Sequence, residues 1–376
     1  MEFEIIKKDA CGARVCRLHT AHGTVETPVF IPVGTQGTVK GLSPEDLKNA
    51  GAEIILVNSY HLYLRPGDET VAAAGGIHRF MNWDRPVLSD SGGYQVFSLS
   101  DIRRITGEGV EFQSHIDGSK HMFTPEKVMD IQNALGVDIA MCFDECPPYP
   151  CGRDYAEKSM ELSSRWAAAC KKRFMENKNK NQAIFSIVQG SVYRDLREES
   201  LRRSIETGFD GYAIGGLSVG EPRELADEVL AYLSPQLPEN SPRYLMGVGT
   251  PEQLWNYAGK GIDMFDCVIP TRNGRNGQLF TGAGRINIKS ARFKNDFSPL
   301  DPGCGCYACK NFTKAYLSHL FRSGELLALR LNSLHNVHFM ISLMDNIKKS
   351  ILAGNFKEEK EKFANKYGKG ETQDDF

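Results

Sequence analysis

The chain has no basic start followed by an apolar core: it opens Met1-Glu2-Phe3-Glu4-Ile5-Ile6, so no secretory leader is expected. No apolar run is long enough to span a bilayer, so no membrane partner is expected either. Charge of one sign is not in excess. The formal net charge is -2, which argues against a uniformly basic nucleic-acid coat. No strand-like run is followed by a complete G-x-G-x-x-G fingerprint, which weakens a doubly wound dinucleotide-binding fold as the alternative architecture. Without a leader, the ten cysteines point to a reducing compartment. Cys11, Cys16, Cys142, Cys151 and Cys170 are then expected as free thiols, and the protein is expected to be cytoplasmic.

What is present is a string of short apolar runs, at 29–33, 54–58, 87–90, 137–144, 183–189, 211–216, 244–249 and 264–270. Continuous apolar strands imply burial on both faces, as in a parallel sheet. Helical spacings separate most of them: Val128, Ile131 and Leu135; Leu225, Val229 and Leu233; and Leu162, Trp166, Cys170 and Phe174. Pro125, Pro222 and Pro251 stand where first-turn prolines belong. Eight such units predict an α/β fold, a (β/α)8 TIM barrel. Residues 3–27 are expected as a hairpin-like opening, with turns at Cys11-Gly12 and His22-Gly23. Residues 100–123 are expected as an extra segment with a hairpin turn at Ile116-Asp117-Gly118-Ser119.

The most informative stretch runs from Met264 to Cys309. A strand carrying one acid, Asp266, leads into Thr271-Arg272-Asn273-Gly274-Arg275-Asn276-Gly277, read as a glycine-rich basic loop. Cys304-x-Cys306-x2-Cys309 follows. From Thr271 to Lys314 eight basic residues face only Asp296 and Asp301, a net of +6 that favours phosphate contact. Three closely spaced cysteines read as ligands of a structural zinc, which needs a fourth. His319, His335 and His338 are the candidates, and His335, at the start of the helix carrying Val337, Met340, Met344, Ile347 and Ile351, is preferred. The expected division is a barrel over 1–295, a zinc-binding subdomain over 296–336, and a last barrel helix with a charged tail over 337–376, the tail read as a frayed helix from Asn355 on.

In barrels of this kind catalytic groups sit at the C-terminal strand ends. Those ends carry Asn58, Asp90, Asp144, Gln189, Gly215-Gly216, Gly247 and Asp266. An isolated carboxylate ending an apolar strand costs desolvation energy unless it is used or paired. Any one of these acids is explained by helix capping; three acids and Gln189 on one rim are not. Asp144 and Gln189 suit a purine edge, Gly216 could add a backbone donor, and Tyr94 offers a ring for stacking.

On these residues the chain resembles the tRNA-guanine transglycosylases, or queuine tRNA-ribosyltransferases, of the bacterial type. The resemblance runs from about residue 3 to about residue 350. It rests on Ser-Asp-Ser-Gly-Gly-Tyr-Gln at 89–95, Asp144-Glu145-Cys146, Val188-Gln189-Gly190, Gly215-Gly216-Leu217-Ser218-Val219-Gly220, Phe265-Asp266-Cys267-Val268-x-Pro270-Thr271-Arg272 and the Cys3His spacing. It implies exchange of a wobble guanine in tRNA for a 7-deazaguanine. Asp266 would be the nucleophile and Asp90 the general acid/base. Asp144, Gln189 and Gly216 would hold the base edge, Tyr94 and Met246 would sandwich it, and the Leu217 carbonyl would meet its exocyclic amine. Cys146 and Val219 match the bacterial pattern, whose narrow pocket takes 7-aminomethyl-7-deazaguanine (preQ1) or guanine rather than bulkier queuine. Cys304, Cys306, Cys309 and His335 would bind one Zn2+ per chain, and a homodimer is implied. The tRNA phosphates would meet Arg272, Arg275, Arg285 and Lys289. Two other readings compete: a barrel glycosidase using Asp90 and Asp266 on a sugar, and a non-catalytic RNA-binding subunit. The basic zinc module argues against the first, and retention of all three acids argues against the second.

Overall fold

The protein is described by a computed structural model covering residues 1–99, 103–177, 179 and 181–368. Eight parallel strands form one sheet: Val29–Pro32, Ile55–Asn58, Val87–Asp90, Ile139–Met141, Ala183–Val188, Gly211–Ile214, Arg243–Leu245 and Met264–Cys267. Each strand pairs with its sequence neighbours, and the eighth pairs with the first. A single bridge between Val33 and Leu56 joins the first to the second, so the sheet closes into a barrel.

Strand alternation decides what faces inward. Val29, Ile31, Leu56, Leu88, Ile139, Met141, Phe185, Ile187, Ala213, Tyr244 and Met264 pack together as the barrel interior. Phe30, Val57, Val87, Ile184, Leu245 and Phe265 pack outward against the helices. Side chains two residues apart share a face. Asn58, Asp90 and Asp266 therefore continue the inward rows begun by Leu56, Leu88 and Met264, and they project from the top of the barrel.

Two helix starts follow the expected chemistry. Thr124 and Thr250 cap the helices Pro125–Leu135 and Pro251–Ala258, each accepting the backbone N–H three residues on. Pro222 sits one position earlier than expected, as the residue flanking the helix Arg223–Leu233. The opening segment is a three-stranded antiparallel meander, Glu2–Lys8, Arg14–Thr20 and Gly23–Thr27. It is pinned to the barrel by the buried Arg14–Asp263 ion pair at 2.6 Å. The extra segment is a second antiparallel sheet, Arg103–Ile105, Val110–Gln113 and Lys120–Phe123, whose last two strands are joined through the expected turn.

Three expectations are corrected beyond residue 267. The eighth strand ends at Cys267, and the supposed basic loop is a helix, Ile269–Asn276. Pro270 suits a first helical turn, and Gly277, at φ 86°, ends the helix in the left-handed conformation. Gly274 is there for close approach: a Cβ on it would lie 2.8 Å from the Ser333 nitrogen on the helix Leu326–Ala353. That second helix is 28 residues long and runs unbroken through positions 336 and 337. His335 thus lies well inside a helix rather than at its start. The third correction concerns the charged end, which is helical as expected but packed rather than frayed over its first part. Phe356–Tyr367 is helical; Phe356 and Tyr367 are buried, and Phe356 and Phe363 pack on Trp255.

Between the barrel and that long helix, the hairpin Gln278–Thr281 with Gly284–Asn287 joins the cysteine segment in a small core of its own. Leu279, Ile288, Phe293, Leu300, Leu317, Leu320 and Leu331 form it.

Candidate active site

The C-terminal strand ends open on a cavity of about 640 Å³. Asp90, Tyr94, Asp144, Cys146, Gln189, Gly216, Leu217, Val219, Met246, Asp266 and Arg272 all line it. Widely separated turns of the chain thus converge on one space. Tyr94, 53% exposed, stands in the open part of the lining.

The two strand-end acids at 90 and 266 differ in their surroundings. On Asp266 a single oxygen, Oδ1, accepts both the Tyr244 hydroxyl at 2.5 Å and the Gly247 N–H at 2.8 Å. Oδ2 accepts nothing from the described residues. Burial raises the Asp266 pKa, and the two donors oppose that rise. On Asp90, Oδ2 accepts from the Asn58 amide, while Oδ1 is buried without a partner. Burial pushes its pKa up to about 7; the Asn58 bond opposes this and the Asp266 charge adds to it. One acid is thus furnished with donors on one face and bare on the other. The second is poised to exchange a proton near neutral pH.

Asp144 is buried beside them. Gln189 Nε2 donates to its Oδ2 at 2.7 Å and the Ser91 hydroxyl to its Oδ1 at 3.3 Å. Burial raises its pKa to about 6. The Gln189 Oε1 atom is buried and unpartnered. Glu221 accepts the N–H groups of Ser218 and Val219, the latter at 2.9 Å. Across a trans peptide the Leu217 carbonyl therefore points to the opposite side from Glu221. Asp144 and Gln189, hydrogen-bonded to each other, thus line one cavity with Gly216, Leu217 and the acids Asp90 and Asp266.

The sulfur cluster is a separate construction. His335 Nδ1 lies 3.8, 3.4 and 3.3 Å from the Sγ atoms of Cys304, Cys306 and Cys309. A tetrahedral ion with metal–sulfur bonds of about 2.3 Å and metal–nitrogen bonds of about 2.05 Å has sulfur–nitrogen edges of about 3.6 Å. The three sulfur–nitrogen separations thus match those such an ion requires, and all four ligand atoms lie within 4.8 Å of one another. His335 Nε2 lies 2.6 Å from the Phe280 carbonyl, which fixes the ring with Nδ1 facing the sulfurs. His338 Nδ1 also comes within 3.6 Å of Cys304 Sγ. A second histidine–carboxylate group, His22, His78 and Asp138, lies at the other end of the barrel. Its imidazoles are stacked at 3.5 Å with both nitrogens on the one carboxylate, so their lone pairs run side by side rather than converging on an ion.

Of the basic residues, Arg272 lines the cavity and Arg275 follows it on the same helix. Arg285 is exposed on the strand Gly284–Asn287, and exposed Lys289 lies against the Phe321 ring. No helix among the described residues is long and apolar enough to cross a membrane.

A family model described as queuine tRNA-ribosyltransferase matches residues 9–369. The chain belongs to the queuine tRNA-ribosyltransferase family. It is therefore a pentosyltransferase. Relatives of that name include one from Ruminiclostridium cellulolyticum, 56% identical over 97% of this chain and 98% of its own. Another, from Caldanaerobacter subterraneus subsp. tengcongensis, is 56% identical over 98% of both chains. One from Thermoanaerobacter sp. is 54% identical over 98% of both.

Two groups at the cavity escaped sequence reasoning. Tyr244 is the inward residue of the seventh strand, and period-two alternation with Asp266 on the neighbouring strand could have paired them. His61 lines the cavity one turn after Asn58. Burial, helped by the charges of His115 and Lys40, lowers its pKa to about 4, so it stands neutral in the cavity lining.

Proposed function

We propose that the protein exchanges the wobble guanine of specific tRNAs for preQ1 through a covalent aspartyl-ribosyl intermediate, within queuosine biosynthesis. The observation that carries this reading is the pair Asp90 and Asp266 on one cavity, each with one oxygen hydrogen-bonded and the other without a partner among the described residues. Replacing one base by another on the same anomeric face takes two displacements, as in retaining glycosidases.

In the first, Asp266 attacks ribose C1′ through its bare oxygen. The bond from C1′ to guanine N9 breaks, its electron pair leaves with the base, and the Asp90 carboxyl supplies the proton. In the second, the Asp90 carboxylate takes the N9 proton of the incoming base. N9 then attacks C1′, and the ester electrons return to Asp266. A general acid that must both give and take a proton works best near the operating pH, which suits the raised Asp90. Asp144, Gln189 and the Gly216 N–H hold the base edge, Tyr94 and Met246 cover its faces, and the Leu217 carbonyl receives an amine. Cys146 and Val219 limit the space for a substituent, favouring preQ1 and guanine over queuine.

The target base must leave its stack to enter the cavity. Arg272, Arg275, Arg285 and Lys289 meet the phosphates around it. Cys304, Cys306, Cys309 and His335 fit one Zn2+ as a closed four-ligand site, which supplies structural cross-linking and leaves no position open for reaction. The reading includes a cytoplasmic homodimer, with a zinc-binding part made of the hairpin Gln278–Thr281 with Gly284–Asn287, the cysteine segment and the first turns of the helix Leu326–Ala353. The test is incorporation of radiolabelled guanine into unfractionated tRNA, followed by its displacement with unlabelled preQ1. Absence of incorporation by folded, metal-replete protein removes the proposal.

A further inference from the structure

Arg197, on the helix Arg194–Thr207 that follows the fifth strand, is entirely buried. A buried guanidinium normally faces a carboxylate. This one forms no ion pair among the described residues. It spends its donors on four main-chain carbonyls instead. Nε donates to Ser191 at 2.7 Å, one terminal nitrogen to Val188 at 2.9 Å and Gly215 at 2.7 Å, and the other to Gly216 at 3.2 Å. Burial pulls its pKa down to about 10, still far enough above neutrality to keep the charge.

Those carbonyls belong to the two chain turns that carry Gln189 and Gly216 into the cavity. Both turns pass through the left-handed region, at a cost for Ser191 and freely for a glycine. Ser191 has φ 52°, and Gly216, at φ 62°, has no room for a side chain, since a Cβ there would run into Gln189 Oε1. In a trans peptide the carbonyl and the next N–H point in opposite directions. With the Gly215 carbonyl drawn onto Arg197 from behind, the Gly216 N–H is turned away from it, and it has no partner among the described residues.

We propose that Arg197 is a positioning residue for base recognition: it aims the Gly216 N–H at the carbonyl oxygen of the bound purine. Its unpaired charge, one peptide behind that donor, also polarises the peptide toward negative charge gathering on the departing base. The inference rests on the proposed base-edge role of Gly216 and goes beyond it, because Arg197 itself touches no substrate.

The test compares guanine with 2-aminopurine, which lacks the carbonyl oxygen and the N1–H, as competitors in radiolabelled guanine exchange. The N1–H loss is common to wild type and Arg197 variants, so a change in preference between them reports the oxygen. A site built around that oxygen should favour guanine by at least about 100-fold in the wild type. Arg197→Met removes charge and fork. Arg197→Lys keeps the charge but replaces the planar fork by a point donor, and it carries the test if Arg197→Met does not fold. Both are expected to raise KM for guanine and shrink the preference over 2-aminopurine at least about tenfold, leaving KM for tRNA unchanged. Folded variants that keep the wild-type preference would overturn the proposal and leave Arg197 a staple of the fold. A wild type with no preference would instead bring down the base-edge reading on which it rests.

Discussion

Replacing Asp90 by Asn should stabilise the protein while disabling it, and the gain should depend on pH in a defined direction. The folded state lifts this carboxyl group from 3.8 to about 7 by burying it, opposed by the Asn58 bond and assisted by the Asp266 charge. A folded-state pKa above the unfolded one means that the native protein binds the proton more tightly. Below about pH 3.8 ionisation costs nothing. As the pH rises from there to about 7 the wild type progressively loses stability, and above about 7 the penalty is complete. The full penalty is about 4 kcal/mol at about 1.36 kcal/mol per pH unit. Because the group borders an open cavity, water screens it, and about 2 kcal/mol is the reasonable expectation.

The amide introduced by Asp90→Asn is neutral at every pH and can still accept from Asn58. Asp144, whose pKa is also raised, is common to both proteins and cancels in the comparison, while the repulsion from Asp266 is part of the Asp90 penalty and is removed with it. A chain of this length has an unfolding entropy near about 0.8 kcal/mol/K, so about 2 kcal/mol corresponds to a Tm gain of about 2–3 °C at pH 8. The gain should shrink steadily toward pH 4. Differential scanning fluorimetry of both proteins across that range reads it directly. An equal gain at pH 4 and pH 8, or a loss at pH 8, would refute the argument that burial holds this acid near neutrality.

The remaining expectations are these. Asp266→Asn should bind tRNA yet form no tRNA adduct that survives denaturing electrophoresis, whereas Asp90→Asn should lose turnover at least about 100-fold and can retain some adduct; an adduct at wild-type level in Asp266→Asn moves the nucleophile elsewhere. Val219→Gly should improve queuine incorporation relative to preQ1, and a wild type that uses both equally well contradicts the narrow pocket. Metal analysis should return about one zinc per chain, with strong chelation loosening the 278–336 region and weakening tRNA binding, both readable by limited proteolysis and filter binding. Trp255→Ala should cost about 3–5 kcal/mol and release the helix Phe356–Tyr367 to proteases, since that residue carries both Phe356 and Phe363.

Much of the barrel was legible because its strands are short, apolar and punctuated, so all eight runs emerged. Their ends were less so. The run 137–144 is a strand only over Ile139–Met141, and Asp144 lies beyond it in a loop. Apolar content continues past a strand wherever the chain stays buried, and hydrophobicity alone does not mark where hydrogen bonding stops. The helix Ile269–Asn276 was misread because Gly274 and Gly277 look like loop signals in one dimension. Only the helix Leu326–Ala353, far downstream in the chain, shows that Gly274 is small in order to let two backbones touch.

Arg197 marks where one-dimensional reading stops. In Arg194-Asp195-Leu196-Arg197-Glu198-Glu199 it looks like one more solvated charge, and its neighbours Arg194, Glu198 and Glu199 do form exposed pairs. A faint signal existed: Arg197, Ser200, Leu201 and Ser204 recur at helical spacing on a face that is wholly buried. A charge on such a face must find partners, and the available partners were carbonyls of turns that no sequence pattern identifies as strained. The acids were found because a carboxylate at a strand end is conspicuous; the cation behind the cavity was missed because its partners are backbone. Sites assembled from main-chain groups leave their trace in the residues that hold the main chain, and those residues surface only when buried charge is followed, donor by donor, to what it binds.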